Sequence, residues 1–471
     1  MHHIEQVYIN GEFVSPHGTE RFDLYNPATA CVIGQVRLAD AVDGERAIAA
    51  ARAAFPAWSK TTKQVRIAAL QRMHAAVAAR HDDLLEAVVE EYGAPASRSA
   101  WMASYPAEVI AQAIAALEAF EFTTVAGAAR VEMTPLGVAG LITPWNSDAG
   151  FICGKLAAAL AAGCTAVIKP SEMSALQTQI VTEALHAADL PPGVFNIVTG
   201  RGDTVGETIS RHPHVAKISF TGSTRTGKAI LRNAAENFTR VTLELGGKSP
   251  TLILDDADIK QAIPLAVQAG LMNSGQACVA GTRILVPQSR KAEFEQALAL
   301  AVAAVASGDP RDAKTVVGPM VSERQWQRVQ GYIQKGLAEG ARLLAGGVGR
   351  PEGTRDGWFV RPTLFTDVHN QMAIARDEIF GPVLCVIAYR DEAEAIAIAN
   401  DTDYGLSALV LGGDSGRARR VAQQIQAGRV LVNTLTHEPK APFGGFKHSG
   451  VGREMGAWGI SAFMEPKSIL S

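Results

Sequence analysis

The sequence predicts an α/β protein with two halves, each built on a mostly parallel sheet. Three observations lead there. Short apolar runs at 137–142, 165–168, 194–198, 215–220 and 241–245 alternate with amphipathic stretches, and continuous short strands separated by helices imply parallel strands buried on both faces. A second series of the same rhythm begins after Gly247, with runs at 251–254, 283–286, 383–387, 406–411 and 430–432. The chain of 471 residues also exceeds what one hydrophobic core supports, so two or three domains are expected.

In chain order, 42–54 and 63–92 read as amphipathic helices ahead of the first series. That series reads as a doubly wound, Rossmann-like unit, which binds nucleotides beyond the carboxyl ends of its strands. Its longest apolar stretch, 156–168, is bounded by Lys155 and Lys169 and is too short to span a bilayer. It reads as a buried helix followed by a strand. The glycine- and charge-rich stretch 346–357 reads as an exposed loop inside the second half, not a linker. No internal repeat or low-complexity segment is evident.

Composition narrows the partners. Hydrophobic residues make up 47%, charged residues 19%, and the net charge is -3, so no basic excess draws nucleic acid or an acidic membrane. Small soluble substrates fit better. Met1-His2-His3-Ile4-Glu5-Gln6 lacks the basic region, apolar core and cleavage site of a signal peptide, and a reducing cytoplasm is the expected location. Five cysteines at irregular spacings are no disulfide framework. Cys31, Cys153, Cys164 and Cys385 read as small core residues. No Cys/His spacing matches zinc, and no metal is expected.

The fifth cysteine is different. Cys278 sits in Asn273-Ser274-Gly275-Gln276-Ala277-Cys278-Val279-Ala280-Gly281-Thr282-Arg283, downstream of Leu243-Glu244-Leu245-Gly246-Gly247-Lys248-Ser249-Pro250. Glycines on both sides of one thiol indicate a turn that lets backbone approach a ligand, and a glutamate ending an apolar strand can take a proton from thiol or water. From these motifs the chain resembles the NAD(P)-dependent aldehyde dehydrogenase superfamily. The resemblance runs from Tyr8-Ile9-Asn10-Gly11 to the C-terminal tail.

What the resemblance implies is specific. The fold would be aldehyde dehydrogenase-like, with a Rossmann-type cofactor domain (1–119 and 134–246, with 447–461 returning to it), an α/β catalytic domain (247–446) and a small β oligomerisation flap (120–133 and 462–471). The tail resembles the strand that pairs with a neighbouring subunit, and a homodimer or homotetramer is implied. Cys278 would be the nucleophile, forming a thiohemiacetal and then a thioester. Asn146, in Thr143-Pro144-Trp145-Asn146, would hold the oxyanion with the Cys278 N–H; its plainer role is a helix cap. Glu244 would be the base that activates water. Lys155 and Glu454 match family positions proposed to relay protons, and both read equally as salt-bridge partners.

For the cofactor, Lys169, Ser171 and Glu172 end a strand where they reach ribose hydroxyls. Glu172 favours NAD over NADP, because a carboxylate repels a 2′-phosphate, although Arg225 could offset that and NADP stays possible. Phe220-Thr221-Gly222-Ser223-Thr224 offers a helix N-terminus to the pyrophosphate. Thr143, Trp145, Gly202, Leu245 and Gly246 would add contacts. Glu378 would bind the nicotinamide ribose and Phe380 would pack on the nicotinamide. Ser147, Phe151, Val279 and Phe443 would line the aldehyde tunnel.

The chain departs from its relatives at Ser147-Asp148, where many have phenylalanine and proline. Ser147 and Gly154 imply a wider or more polar entrance. Asp148 reads either as a helix cap or as an anionic contact for an amino or hydroxy aldehyde. The expected reaction is oxidation of an aldehyde to its acid. A CoA-acylating enzyme is an alternative, disfavoured by the presence of Glu244, as is a noncatalytic binding or structural protein of this fold, disfavoured by Cys278, Glu244, Asn146 and Lys169 together.

Overall fold

A computed structural model describes residues 1–354 and 356–470. Arg355, inside the expected loop, and Ser471, at the end of the expected flap, lie outside the described residues. The loop around 346–357 is otherwise without helix or strand.

The first series becomes an eight-stranded sheet in the order Gly450–Val451, Arg240–Glu244, Val215–Thr221, Val138–Ile142, Thr165–Lys169, Phe195–Ile197, Val7–Ile9, Glu12–Val14. Its five central strands are parallel. Their register sets Thr221 beside Glu244, Phe220 beside Ile142, and Ile142 beside Lys169. The carboxyl ends that carry the expected site residues therefore share one edge. The helix Asp148–Ala162 and the strand Thr165–Lys169 account for the apolar stretch, and both are almost wholly buried.

The second series becomes a seven-stranded sheet in the order Arg342–Ala345, Thr363–Thr366, Val383–Tyr389, Arg283–Pro287, Pro250–Ile253, Ser407–Leu411, Arg429–Val432. Every pairing is parallel except the first, which is antiparallel. The strands Arg342–Ala345 and Thr363–Thr366 escape sequence reading because each has four residues and is bounded by Gly346 or Pro362. Strands in the first 37 residues were also not foreseen. Among them Cys31 opens the strand Cys31–Arg37 and is exposed, against the expectation of a core position; Cys153, Cys164 and Cys385 are buried.

Two corrections concern helices. The expected helix 63–92 is three pieces, Lys63–Ala78, His81–Ala87 and a π-turn Val88–Tyr92, closed by left-handed Gly93 at φ 76°. A long helix, Ala96–Ala119, had no sequence reading, since Pro106 lies in its middle and proline disfavours a helix interior. In the flap, the tail strand Met464–Leu470 pairs along the whole of Ala129–Pro135 in its own chain, Thr123–Ala126 completes a three-stranded sheet, and the other edge of the tail strand has no partner among the described residues. A third strand gives the flap the stability that two segments lack.

Candidate active site

Cys278 follows a turn that starts where the helix Ile259–Leu271 ends. Asn273, Ser274 and Gly275 take successive φ values of 53°, 59° and 73°, a left-handed path that L side chains adopt reluctantly. A Cβ on Gly275 would stand 2.2 Å from the Gly381 carbonyl oxygen, so glycine is required there. Buried side chains pin the path. The Asn273 amide donates to the Asn146 and Gln276 carbonyls at 3.2 Å each, and the Ser274 hydroxyl accepts from the Gly318 N–H at 2.9 Å. The Gln276 amide donates to Tyr92 Oη and the Pro319 carbonyl at 3.3 Å, and its oxygen accepts from the Val321 N–H at 3.0 Å. The Cys278 carbonyl then lies against Gly247, where a Cβ would approach to 2.3 Å. Thus the two glycine-rich motifs, about thirty residues apart, meet at the thiol.

Asn146 is buried, and its Nδ2 donates to the Gln276 carbonyl at 3.0 Å. One hydrogen of a planar amide is thereby fixed, which directs the other. The Cys278 N–H has no acceptor among the described residues. Burial pushes the Cys278 thiol up to about 12, with Glu378 and Glu244 adding to the rise and Arg429 opposing it.

Glu244 ends the strand Arg240–Glu244 and is buried, and neither carboxyl oxygen has a hydrogen-bond partner among the described residues. Gly444 makes room for it: a Cβ there would lie 2.7 Å from Oε1. Burial first, then the charge of Glu454, drives this carboxyl well above its ordinary value, while Lys155 and Arg453 oppose the shift. Lys155 and Glu454 are ion-paired to each other. Ser219 joins them, accepting from Lys155 Nζ at 2.9 Å and donating to Glu454 Oε1 at 2.8 Å. Sequence reading missed Ser219; its only signal was a hydroxyl within the apolar strand Val215–Thr221.

At the strand ends Glu172 lies 3.5 Å from Lys169 and 3.2 Å from Arg201. Burial alone would raise this carboxyl, but Lys169, the local backbone N–H and Arg201 overturn that and hold it below the usual range. Arg201, not the exposed Arg225, is the counter-charge. Ser171 accepts from the Met173 N–H at 3.3 Å. Ser223 caps the helix Thr224–Ala235, accepting from the Thr226 N–H at 3.2 Å. The Phe220 ring would meet a Cβ on Gly222 at 2.5 Å, and Leu245 would meet one on Gly227 at 2.6 Å. Both side chains therefore shape this cradle as well as bordering it. Gly202 faces open space.

Opposite the cradle, Glu378 accepts from the Gly247 N–H at 3.1 Å and lies where a Gly246 Cβ would stand, 2.3 Å from its oxygen. Burial pushes it up to about 7. Phe380, at φ 61°, meets Trp145 edge-to-face at 5.4 Å. The Gln325 amide fixes that segment by donating to the Ile379 and Phe380 carbonyls at 3.2 and 2.7 Å, a support no motif announced. Open space beside Gly202, the N-terminus of the helix Thr224–Ala235 and the paired Lys169 and Glu172 at a strand end have the character of a dinucleotide-binding edge.

A cavity of about 620 Å3 lies at the thiol, lined by Asn146, Ser147, Phe151, Gly154, Lys155, Glu244, Cys278, Val279, Phe443 and Glu454. Asp148 is not among them. It is fully buried in the first helical turn, accepts from the Thr143 and Thr178 hydroxyls at 2.8 and 2.7 Å, and is pushed by burial up to about 7. Both sequence readings of Asp148 are thereby corrected: the N-cap position is Ser147, and the carboxylate cannot touch a substrate. The unforeseen helix Ala96–Ala119 adds Arg98, Trp101 and Tyr105 to the wall, and Arg429 enters from the last strand of the second sheet.

Known proteins agree with the class that a nucleotide-binding sheet edge opening onto a thiol defines, the cofactor-dependent oxidoreductases. The model of the aldehyde dehydrogenase family matches residues 13–469. The chain is 43% identical over 472 residues to 3-succinoylsemialdehyde-pyridine dehydrogenase of a Pseudomonas species, covering 100% of this chain and 99% of that one. Among solved structures, a cysteine-to-alanine mutant of aldehyde dehydrogenase C from Pseudomonas syringae, complexed with NAD+ and octanal, superposes with a TM-score of 0.97 at 45% identity, covering 99% of this chain and 96% of that one. An aldehyde dehydrogenase of Mycobacterium tuberculosis complexed with NAD+ gives 0.96 at 39% identity, covering 100% and 98%. The chain belongs to the aldehyde dehydrogenase family. It is an enzyme that oxidises aldehydes with a nicotinamide cofactor.

Proposed function

We propose that this protein oxidises an aldehyde to its carboxylic acid with NAD+, and that Cys278, Asn146 and Glu244 carry the chemistry. The observation that supports this most is their convergence on one cavity at the strand-end edge. Cys278, once deprotonated, attacks the carbonyl carbon, and the negative oxygen so formed is received by the free N–H of Asn146 and the Cys278 N–H. NAD+, when bound, accepts the hydride. Glu244 then takes a proton from water that attacks the thioester, and Cys278 leaves as thiolate. Lys155, Ser219 and Glu454 keep a charged, hydrogen-bonded chain beside Glu244. The retained base is what separates this reading from CoA acylation. The direct test is formation of reduced cofactor from NAD+ and a short aldehyde, without coenzyme A; no reduced cofactor, or a strict need for coenzyme A, overturns the reading.

Lys169, Ser171 and Glu172 hold the adenosine ribose, Gly202, Gly222 and Ser223 face the pyrophosphate, and Glu378 and Phe380 hold the nicotinamide end, with Thr143, Trp145, Phe220, Leu245 and Gly246 shaping the cradle between them. The Thr143 hydroxyl is committed to Asp148, which leaves its carbonyl for the cofactor. With Glu172 in place, NAD+ has a lower KM than NADP+ by about tenfold or more, since a charged hydrogen bond contributes about 1.5 to 3 kcal/mol. Glu172→Ser narrows that gap at least fivefold, because it removes the charge that opposes a 2′-phosphate and releases Nη1 of Arg201, whose other nitrogens stay on Glu20. Equal KM values in the parent would exclude this role.

Ser147 widens the tunnel beside Phe151, Val279 and Phe443. Ser147→Phe is expected to shift kcat/KM toward hexanal and benzaldehyde by about 1 to 3 kcal/mol relative to a hydroxy aldehyde, the scale of one buried aromatic contact. No change in that ratio would remove Ser147 from the substrate path.

The residues 1–119, 134–246 and 447–461 act as the cofactor domain, 247–446 as the catalytic domain, and 120–133 with 462–471 as the flap. The flap exposes Val125, Ile469 and Leu470 and leaves strand edges unpaired, which supports a homodimer or homotetramer. All five cysteines are free thiols, which suits a reducing cytoplasm, and among the described residues no helix is long and apolar enough to cross a membrane.

A further inference from the structure

The substrate cavity contains two cations that the protein leaves without an anion. Arg98, from the helix Ala96–Ala119, stacks its guanidinium 3.6 Å from the Trp101 ring centroid, and its Nε is buried with no hydrogen-bond partner among the described residues. Arg429, from the strand Arg429–Val432, lies 5.7 Å from the Phe443 ring centroid and donates from Nε only to the Ser407 hydroxyl, at 3.2 Å. Neither has a carboxylate within ion-pair distance among the described residues, whereas Arg80, Arg376 and Arg417, half-buried elsewhere in the chain, each hold one.

Both line the cavity that Cys278 opens into. Tyr105, on the same wall, lies close enough to each arginine to couple to it electrostatically. Burial pulls both guanidinium groups down from their ordinary value. A desolvated cation is costly until an anion joins it, and guanidinium groups match a carboxylate in a two-pronged geometry.

The other charged groups at the cavity do not fill this role. Glu454 is held by Lys155, Glu244 lies deep beside the thiol, Glu108 is exposed at the mouth and bonds to neither arginine, and Arg453 is turned to the Gly445 and Gly452 carbonyls. His437, also at the wall, is held below its usual value by burial and by Arg429, so it stays neutral and adds no competing charge at neutral pH. Asp148, the one anion that could have favoured an amino aldehyde, is sealed away.

We infer that the enzyme's substrates are aldehydes carrying a carboxylate at the far end, held by Arg429 and Arg98 while the aldehyde carbon lies at Cys278. This rests on the aldehyde-oxidising reading and names its substrate class. The reaction balances as aldehyde, water and NAD+ giving the second carboxylate, reduced cofactor and two protons: the C–H bond breaks with its electron pair going to NAD+, and the new C–O bond comes from water. The product is a dicarboxylate.

The test compares kcat/KM for 4-oxobutanoate and 5-oxopentanoate with butanal and pentanal, in the parent and in Arg429→Gln and Arg98→Gln. The parent is expected to favour an oxo acid over the plain aldehyde of equal length at least tenfold, mainly through KM. Either variant should lower that ratio at least tenfold, even though Arg429→Gln also slows both substrates through its field on the thiol. A second readout needs no cofactor: glutarate should slow alkylation of Cys278 by iodoacetamide in the parent and do so less in the variants. A parent that prefers butanal and pentanal, or variants that leave the ratio unchanged, overturns the inference while aldehyde oxidation stands. No turnover of any of the four aldehydes refutes the reading beneath it.

Discussion

Cys278→Ala is expected to remove aldehyde oxidation, with turnover falling roughly 10^4- to 10^6-fold, while NAD+ binds nearly as in the parent. The separation follows from geometry. The turn that bears the thiol is held by Asn273, Ser274 and Gln276, none of which uses the sulfur, so alanine leaves its path intact. The cradle proposed for the cofactor lies along Lys169, Glu172, Ser223 and Glu378, on other segments. Activity is read as reduced-cofactor formation, and binding as the thermal shift on adding NAD+. Substantial turnover in the variant would end the covalent mechanism. Loss of NAD+ binding would mean instead that Cys278 supports the cradle.

Much of this site was legible because parallel strands impose their own order. A short apolar run ending in a polar residue marks the carboxyl end of a buried strand, and register then places all such ends on one edge, so Lys169 and Glu244 could be grouped from the sequence. Glycines were equally informative, since Gly247 and Gly275 stand where any Cβ would strike backbone. The unread parts share a different cause. The helix Ala96–Ala119 contains Pro106, which sequence patterning takes as a break, and tertiary packing against the helices Lys63–Ala78 and Asp148–Ala162 overrides it. With that helix unread, Arg98 and Tyr105 had no place in the site. Asp148 was misplaced because a carboxylate after a strand reads as a cap; its partners Thr143 and Thr178 stand on either side in the chain, and only the folded sheet brings them together.

Glu244→Gln should separate the two chemical stages. Hydride leaves before water attacks, so a first turnover of reduced cofactor is expected to appear at near-parental rate, followed by steady turnover slowed roughly 10^2- to 10^4-fold, the range for losing a general base. The amide fills the same volume beside Gly444, so the change tests charge and proton acceptance, not packing. The pH dependence follows from the direction of the shift. Burial and Glu454 favour the neutral carboxyl, and the working form is the ionised one, so the parent's kcat should climb as pH rises above the ordinary carboxylate range. Glu244→Gln should flatten that climb. The Cys278 thiol is raised as well, which places a second rising limb on kcat/KM, and this limb should survive in the variant because it belongs to the attack step. If the first turnover slows as much as the steady rate, Glu244 is the base for the thiol too. An unchanged kcat with an unchanged pH profile would leave the hydrolytic water without its base at this position.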